Sequence, residues 1–214
     1  ENCDRIIALV LQRLQQLTPE PQQTMPKAKH QESNKNAPSF DVRAALFNFM
    51  GKDLTQIHGL GPYLALKLVA ECGTDMSRWP TSKHFTSWLC LAPGNKISGG
   101  KVLSSRTRRT ASRATALLRL AATTIGKSDT ALGAFYRRLA SRTGKAKAVT
   151  ATARKIATLF YNTLKYGMDY VDKGADYYET QYRDRVLINL RRRADAFGFT
   201  LQEKVLPGIA VEVS

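Results

Sequence analysis

The chain has 214 residues, with 33 Lys and Arg against 17 Asp and Glu, and a formal net charge of +16. That length can bury a sizeable core, and a hydrophobic content of 43% excludes wholesale disorder. No run approaches the roughly eighteen apolar residues of a membrane helix, and the acid-containing N-terminus ENCDRIIALV is no secretory signal.

The first residue is Glu1, which reads as the start of a piece of a longer polypeptide. Cys3, Ile7, Val10, Leu14 and Leu17 fall at alternating helical steps, the seam of a coiled-coil-like helix over residues 1–18. Such a helix has little of its own chain to pack against, so it reads as the tail of a preceding helical element or as a dimer-forming helix. Residues 19–40 read as a flexible linker, where Pro19, Pro21, Pro26 and Pro38 stand among Gln, Lys and Asn.

From 41 to 202 the pattern predicts a mainly α domain. Val42, Leu46 and Phe49 line one side of a helix closed by Gly51. DLTQIHGLGPYLALKLVAECG reads as two short helices around His58-Gly59-Leu60-Gly61, a helix-hairpin-helix-like element. Ser82 caps a further helix, in a segment that ends at Pro93-Gly94. NKISGGKVLSS carries β-branched Ile97 and Val102 around two glycines and predicts a short hairpin or ordered loop. Four more helices follow, at about 107–126, 129–142, 149–167 and 176–197. The third shows the core stripe Val149, Ala153, Ile156, Phe160 and Leu164. Past 198, with residues 203–214 as a tail, a short strand and disorder are both open.

The charge is uneven. Residues 91–155 hold fifteen basic side chains and one acid, Asp129, a local balance of +14, whereas residues 156–193 hold seven basic and five acidic. A concentrated block of one sign is an electrostatic footprint for a polyanion, and nucleic acid is the expected partner. Cys3, Cys72 and Cys90 form no C-x-x-C pair and His30, His58 and His84 are scattered, which argues against a disulfide framework or a metal cluster.

Four features bear on chemistry. Gly59 and Gly61 allow a tight turn whose backbone N–H groups can approach a phosphate; an ordinary helix turn with a capping glycine is the alternative. Lys101, Arg106, Arg109 and Arg113 recur at steps that place cations on one helical face, with Arg108 beside them. A second set holds Arg137, Arg138, Arg142, Lys145 and Lys147. A solvated charged face normally mixes signs, and acids are nearly absent here. Ser98, in Lys96-Ile97-Ser98-Gly99-Gly100-Lys101, is a hydroxyl on an open turn between two lysines, suited to hold a phosphodiester and offset developing charge. Ser-Gly-Gly is also a common turn, and the residues alone leave both readings open. Tyr161, Tyr166, Tyr170, Tyr177, Tyr178 and Tyr182 suit base stacking or, more simply, interhelix packing.

The series DLTQIHGLGPYLALKLVAECG, SWLCLAPGNKISGGKVLSSRTRR, ALLRLAATTIGKSDTALGAFYRRLASRTGKAKAVTATARKIATLFYNTLKYG and DYVDKGADYYETQYRDRVLINLRRRADAFGFTL resembles the C-terminal transposase domain of the insertion sequence 110 family, over roughly residues 53–202. The resemblance implies that Ser98, following Leu91-Ala92-Pro93, is the nucleophile that attacks a DNA phosphate and forms a phosphoserine intermediate. Many members have two serines before the glycines, and here Ile97 takes the first position. Many also carry a glycine before the Leu-Arg helix (Leu118-Arg119 here), and none stands between 101 and 125, so the local turn is not copied from them. The resemblance further implies a Holliday-junction-resolvase-like (RuvC-like) domain of the same polypeptide whose acidic quartet holds divalent metal such as Mg, with no cofactor in this chain. It implies a structured guide RNA that pairs with donor and target DNA, a homo-oligomer, and a prokaryotic cytoplasmic location. A serine hydroxyl is a poor nucleophile at neutral pH, so the chain alone is expected to bind nucleic acid but cut poorly. A non-catalytic helix-hairpin-helix binding module is the main alternative, and a helical RNA-binding assembly factor a lesser one.

Overall fold

The computed structural model describes residues 2–16, 24–28 and 38–203. The readings that Leu17 closes the seam, that 19–23 and 29–37 are linker, and that 204–214 form a tail lie outside them.

Helix α1 (Asn2–Gln16) packs along α2 (Val42–Met50) within the same chain. Leu11 is buried, Ile7 and Leu14 are half-buried, and Gln15 Nε2 donates to the Ala45 carbonyl at 3.2 Å. The expected seam therefore turns: a single neighbouring helix covers the 7–11–14 stripe and leaves Cys3 and Val10 exposed. Helix α2 begins because the Asp41 carboxylate accepts from the Ala44 N–H at 2.9 Å, and it stops at Gly51 in the left-handed region. Its buried face is Val42, Leu46 and Phe47, with Phe49 half-buried.

A 3-10 turn (Leu54–Gln56) follows, then α3 (Pro62–Cys72). The first of the two short helices read here is thus a single tight turn, because Asp53 caps it and only three residues fit before the chain bends into Gly59. Asp53 is the knot of this region. It accepts from Arg43 Nε and Nη2 at 3.0 and 2.6 Å, from Thr55 N and Oγ1, and from Gln56 Nε2. Arg43 and Gln56 in turn donate to the carbonyls of Pro26 and Lys27, which pins residues 24–28 against the turn.

Helix α4 (Ser82–Trp88) starts from Thr81, one residue before the expected cap. Strands β1 (Lys96–Ser98) and β2 (Lys101–Ser104) pair antiparallel, and α5 (Arg113–Ile125), α6 (Ala131–Thr143), α7 (Lys145–Tyr166) and α8 (Gly174–Ala196) complete the order. The helix expected from about 107 begins only at Arg113. Thr107 bridges back to Pro93, and the Ser112 side chain accepts the Thr115 N–H as the true cap.

Helix α7 is the spine, with α4, α5 and α6 packed around it and α8 on the outside of α6. Ala148, Thr152, Ala153 and Ala157 are fully buried small residues that let neighbours come close, while Ile156, Phe160 and Tyr161 fill the centre. Tyr161 Oη donates to the Trp79 carbonyl at 2.7 Å and Lys165 Nζ to those of Trp79 and Pro80, so α4 starts beside the C-terminal end of α7 and runs back along it. Asp172 accepts from Ala131 N, which starts α6 and α8 at that same end. Arg138 pairs with Glu179 further along, so these two helices run in one direction. The end of α6 and the start of α7 therefore lie at the opposite end of the bundle, with the second half of α8 running past them, while the seven residues of α4, about 10 Å, end partway along α7.

Candidate nucleic-acid interface

The hairpin lies in the chain between α4 and α5, and its strands are exposed. Gly99 and Gly100 have φ of 53° and 75°, and a Cβ built on either meets nothing within 4 Å. Glycine is needed here for the backbone: two successive positive φ values are the primed turn whose twist suits a two-residue hairpin. Ser98 stands directly across from Lys101 and Ile97 from Val102. Strand alternation puts Lys96, Ser98 and Lys101 on one face, with facing Cβ atoms about 4.5–5.5 Å apart. The other face carries the exposed pair Ile97 and Val102.

The arm is exposed, but its base is fixed. Gly94 N donates to the Arg106 carbonyl at 3.0 Å, beside the Pro93–Thr107 bridge. Helix α4 ends in a left-handed cap in which Cys90 N bonds the Ser87 carbonyl and Leu91 N that of Thr86, with Cys90 at φ 55°. The buried Thr115 hydroxyl donates to the Leu89 carbonyl at 2.6 Å, and Arg108 Nη2 to the Ser87 carbonyl at 2.7 Å. Leu89 and Leu91 are buried. Ser98 is thus an exposed hydroxyl on an arm whose base is held by hydrogen bonds.

The other cations divide into two kinds. Arg106 and Arg109 are exposed, but in extended chain; the single helical face read for Lys101, Arg106, Arg109 and Arg113 does not exist, because only Arg113 is in α5. Arg113 is 85% exposed and stands 3.6 Å from Glu71. Arg137 is taken up by the carbonyls of Gly126 and Ser128 beyond the end of α5, and Arg138 by Glu179 and the Tyr182 ring. Those two guanidinium groups hold α5, α6 and α8 together.

Gly59, at φ 88°, turns its missing Cβ toward α5: an added methyl would lie 2.8 Å from Ile125 Cδ1 and 3.0 Å from the Ala121 carbonyl. Packing demands this glycine. Gly61 caps α3 without a side-chain bond, and the start of α3 opens on a cavity of about 750 Å³ lined by Phe40, Arg43, His58 and Tyr63 among others. Of the tyrosines, Tyr161 is core and Tyr178 and Tyr182 lie between α6 and α8. Burial, and then Glu71, push the Cys72 thiol up to about 12, which leaves it inert. Among the described residues no three His, Cys, Asp or Glu side chains gather to hold a metal ion, and no helix is long and apolar enough to cross a membrane.

The exposed arm carries lysines on both sides of its turn and no acid. Residues 51–137, which include the arm and its base, match the family model described as Transposase IS116/IS110/IS902 family. Neither curated proteins nor solved structures gave a match.

Proposed function

We propose that the chain is the serine-bearing domain of a DNA transposase/recombinase. The observation that carries this is the placement of Ser98 on the exposed turn, across from Lys101 and two residues from Lys96 on the same face. The two ammonium groups hold a phosphodiester's non-bridging oxygens, and Ser98 Oγ attacks phosphorus. A P–O bond to Oγ forms and the bond to a deoxyribose oxygen breaks; the serine proton is lost and the departing oxygen takes one up. The charge developed at phosphorus lies between two cations. On this reading a divalent metal is supplied by a RuvC-like domain of the same polypeptide. A guide RNA and a homo-oligomeric assembly belong to the same reading.

The test uses the full polypeptide carrying this chain, with Ser98→Ala and Lys101→Gln. Wild type is expected to leave a phosphatase-resistant protein–DNA adduct that Ser98→Ala lacks, while both bind DNA. Normal adduct formation by Ser98→Ala would leave the chain as a binding module.

A further inference from the structure

The bundle end where α6 stops and α7 begins gathers a group of cations that the serine chemistry does not use. Arg142 ends α6, and Lys145 and Lys147 lie in the first turn of α7. Arg191, Arg192 and Arg193 occupy the last turns of α8. All six are exposed, and among the described residues none has an ion-pair partner. Lys145 and Lys147 stand where the helix dipole is positive, and α7 starts at Gly144 with neither a side-chain cap nor an acid in its first turn. Repulsion is already felt nearby: Lys155 is lowered by burial and then by Arg185.

Helix α8 outruns its support. Its 23 residues span about 34 Å against about 20 Å for the 13 of α6. Past Leu187 nearly every side chain is exposed. Consecutive arginines on a helix point about 100° apart, so this free end carries cations around its girth rather than on one side. A flat phosphate surface would use one side only; two phosphate walls use them all. The B-form major groove, about 12 Å wide, admits a helix of about 10–12 Å, whereas the A-form groove of double-stranded RNA is too narrow and deep.

We propose that the distal turns of α8 enter the major groove of duplex DNA, with Arg142, Lys145 and Lys147 on the adjoining backbone. The contact is independent of the identity of the nucleophile: Ser98 lies outside it.

The experiment compares the chain with two triple variants, Arg142→Gln/Lys145→Gln/Lys147→Gln and Arg191→Gln/Arg192→Gln/Arg193→Gln, in binding a DNA duplex and an RNA duplex of the same sequence from about 50 to 200 mM salt. Each variant is expected to lose tenfold or more in DNA affinity, with the salt slope falling by about 0.9 for each phosphate contact removed. The arginine variant is expected to leave RNA-duplex binding unchanged, and the corresponding Arg→Lys triple to keep most DNA binding. Unchanged DNA affinity and slope would overturn the proposal. So would an equal loss toward RNA duplex, a Lys triple as weak as the Gln triple, or loss of a self-associated form with DNA binding intact, which would make exposed Ile188 and Leu190 a protein contact instead. A Ser98→Ala chain that still binds separates this result from the fate of the catalytic reading.

Discussion

Replacing Asp53 with Asn tests how the region beneath the Gly59 turn is held. The Asp53 side chain is 2% exposed and that of its partner Arg43 14% exposed, with Nη2 at 2.6 Å from Oδ2. Burial pushes the carboxyl up, but hydrogen bonds from Arg43, Thr55 and Gln56 more than offset it, and the pKa falls below its ordinary 3.8. Removing one partner of a buried pair costs about 3–5 kcal/mol, since the other charge is left without compensation. Asn keeps an oxygen for Thr55, so the lower figure applies: about 3 kcal/mol, or a fall in Tm of about 6–12 °C for a domain of this size. The pH dependence has a definite sign. A depressed folded-state pKa means that the unfolded chain binds more protons below the ordinary value. The stabilisation is therefore complete at neutral pH and is lost as pH falls through the folded pKa. Urea unfolding of wild type and Asp53→Asn from pH 7 to pH 3 should show a gap that is constant near neutrality and narrows below about pH 4. A gap under about 1 kcal/mol at pH 7, or one that does not narrow, refutes the reasoning.

Two further substitutions probe backbone conformation. Cys90→Gly should stabilise the chain by about 0.5–1 kcal/mol in denaturant titration, since relief of about 1–2 kcal/mol at φ 55° exceeds the entropy glycine adds to the unfolded state. Gly59→Ala should cost about 2–4 kcal/mol, combining positive-φ strain with overpacking against Ile125 and the Ala121 carbonyl, and thermal melts should show it whether or not nucleic acid is present.

The parts of the fold legible from sequence are those where one local signal suffices. The Ala153, Ile156 and Phe160 stripe of α7 follows from helical spacing, and the hairpin from two glycines between β-branched residues. The start of α5 was not legible, because Arg106, Arg109 and Arg113 keep helical spacing by coincidence while Thr107 pairs with a residue far back in the chain. The fates of Arg137 and Arg138 depend on carbonyls and an acid from other elements, which charge counting cannot see. Likewise the α1 stripe is chosen by α2, not by α1. The three arginines of α8 were diluted by averaging: most acids of 156–193 lie before Asp184, and the arginines come at the end.

The grouping of helix ends has a kinetic side. Acids such as Asp129, Asp169, Asp172 and Asp176 lie near the end of the bundle where α6 and α8 begin, and Arg142, Lys145, Lys147 and the three α8 arginines lie toward the other. Such a molecule has a permanent electric moment along the axis of α7. In the field of a polyanion it turns before it touches, so a larger share of encounters begin with the α8 arginines leading, and that bias fades as salt shortens the range of the field.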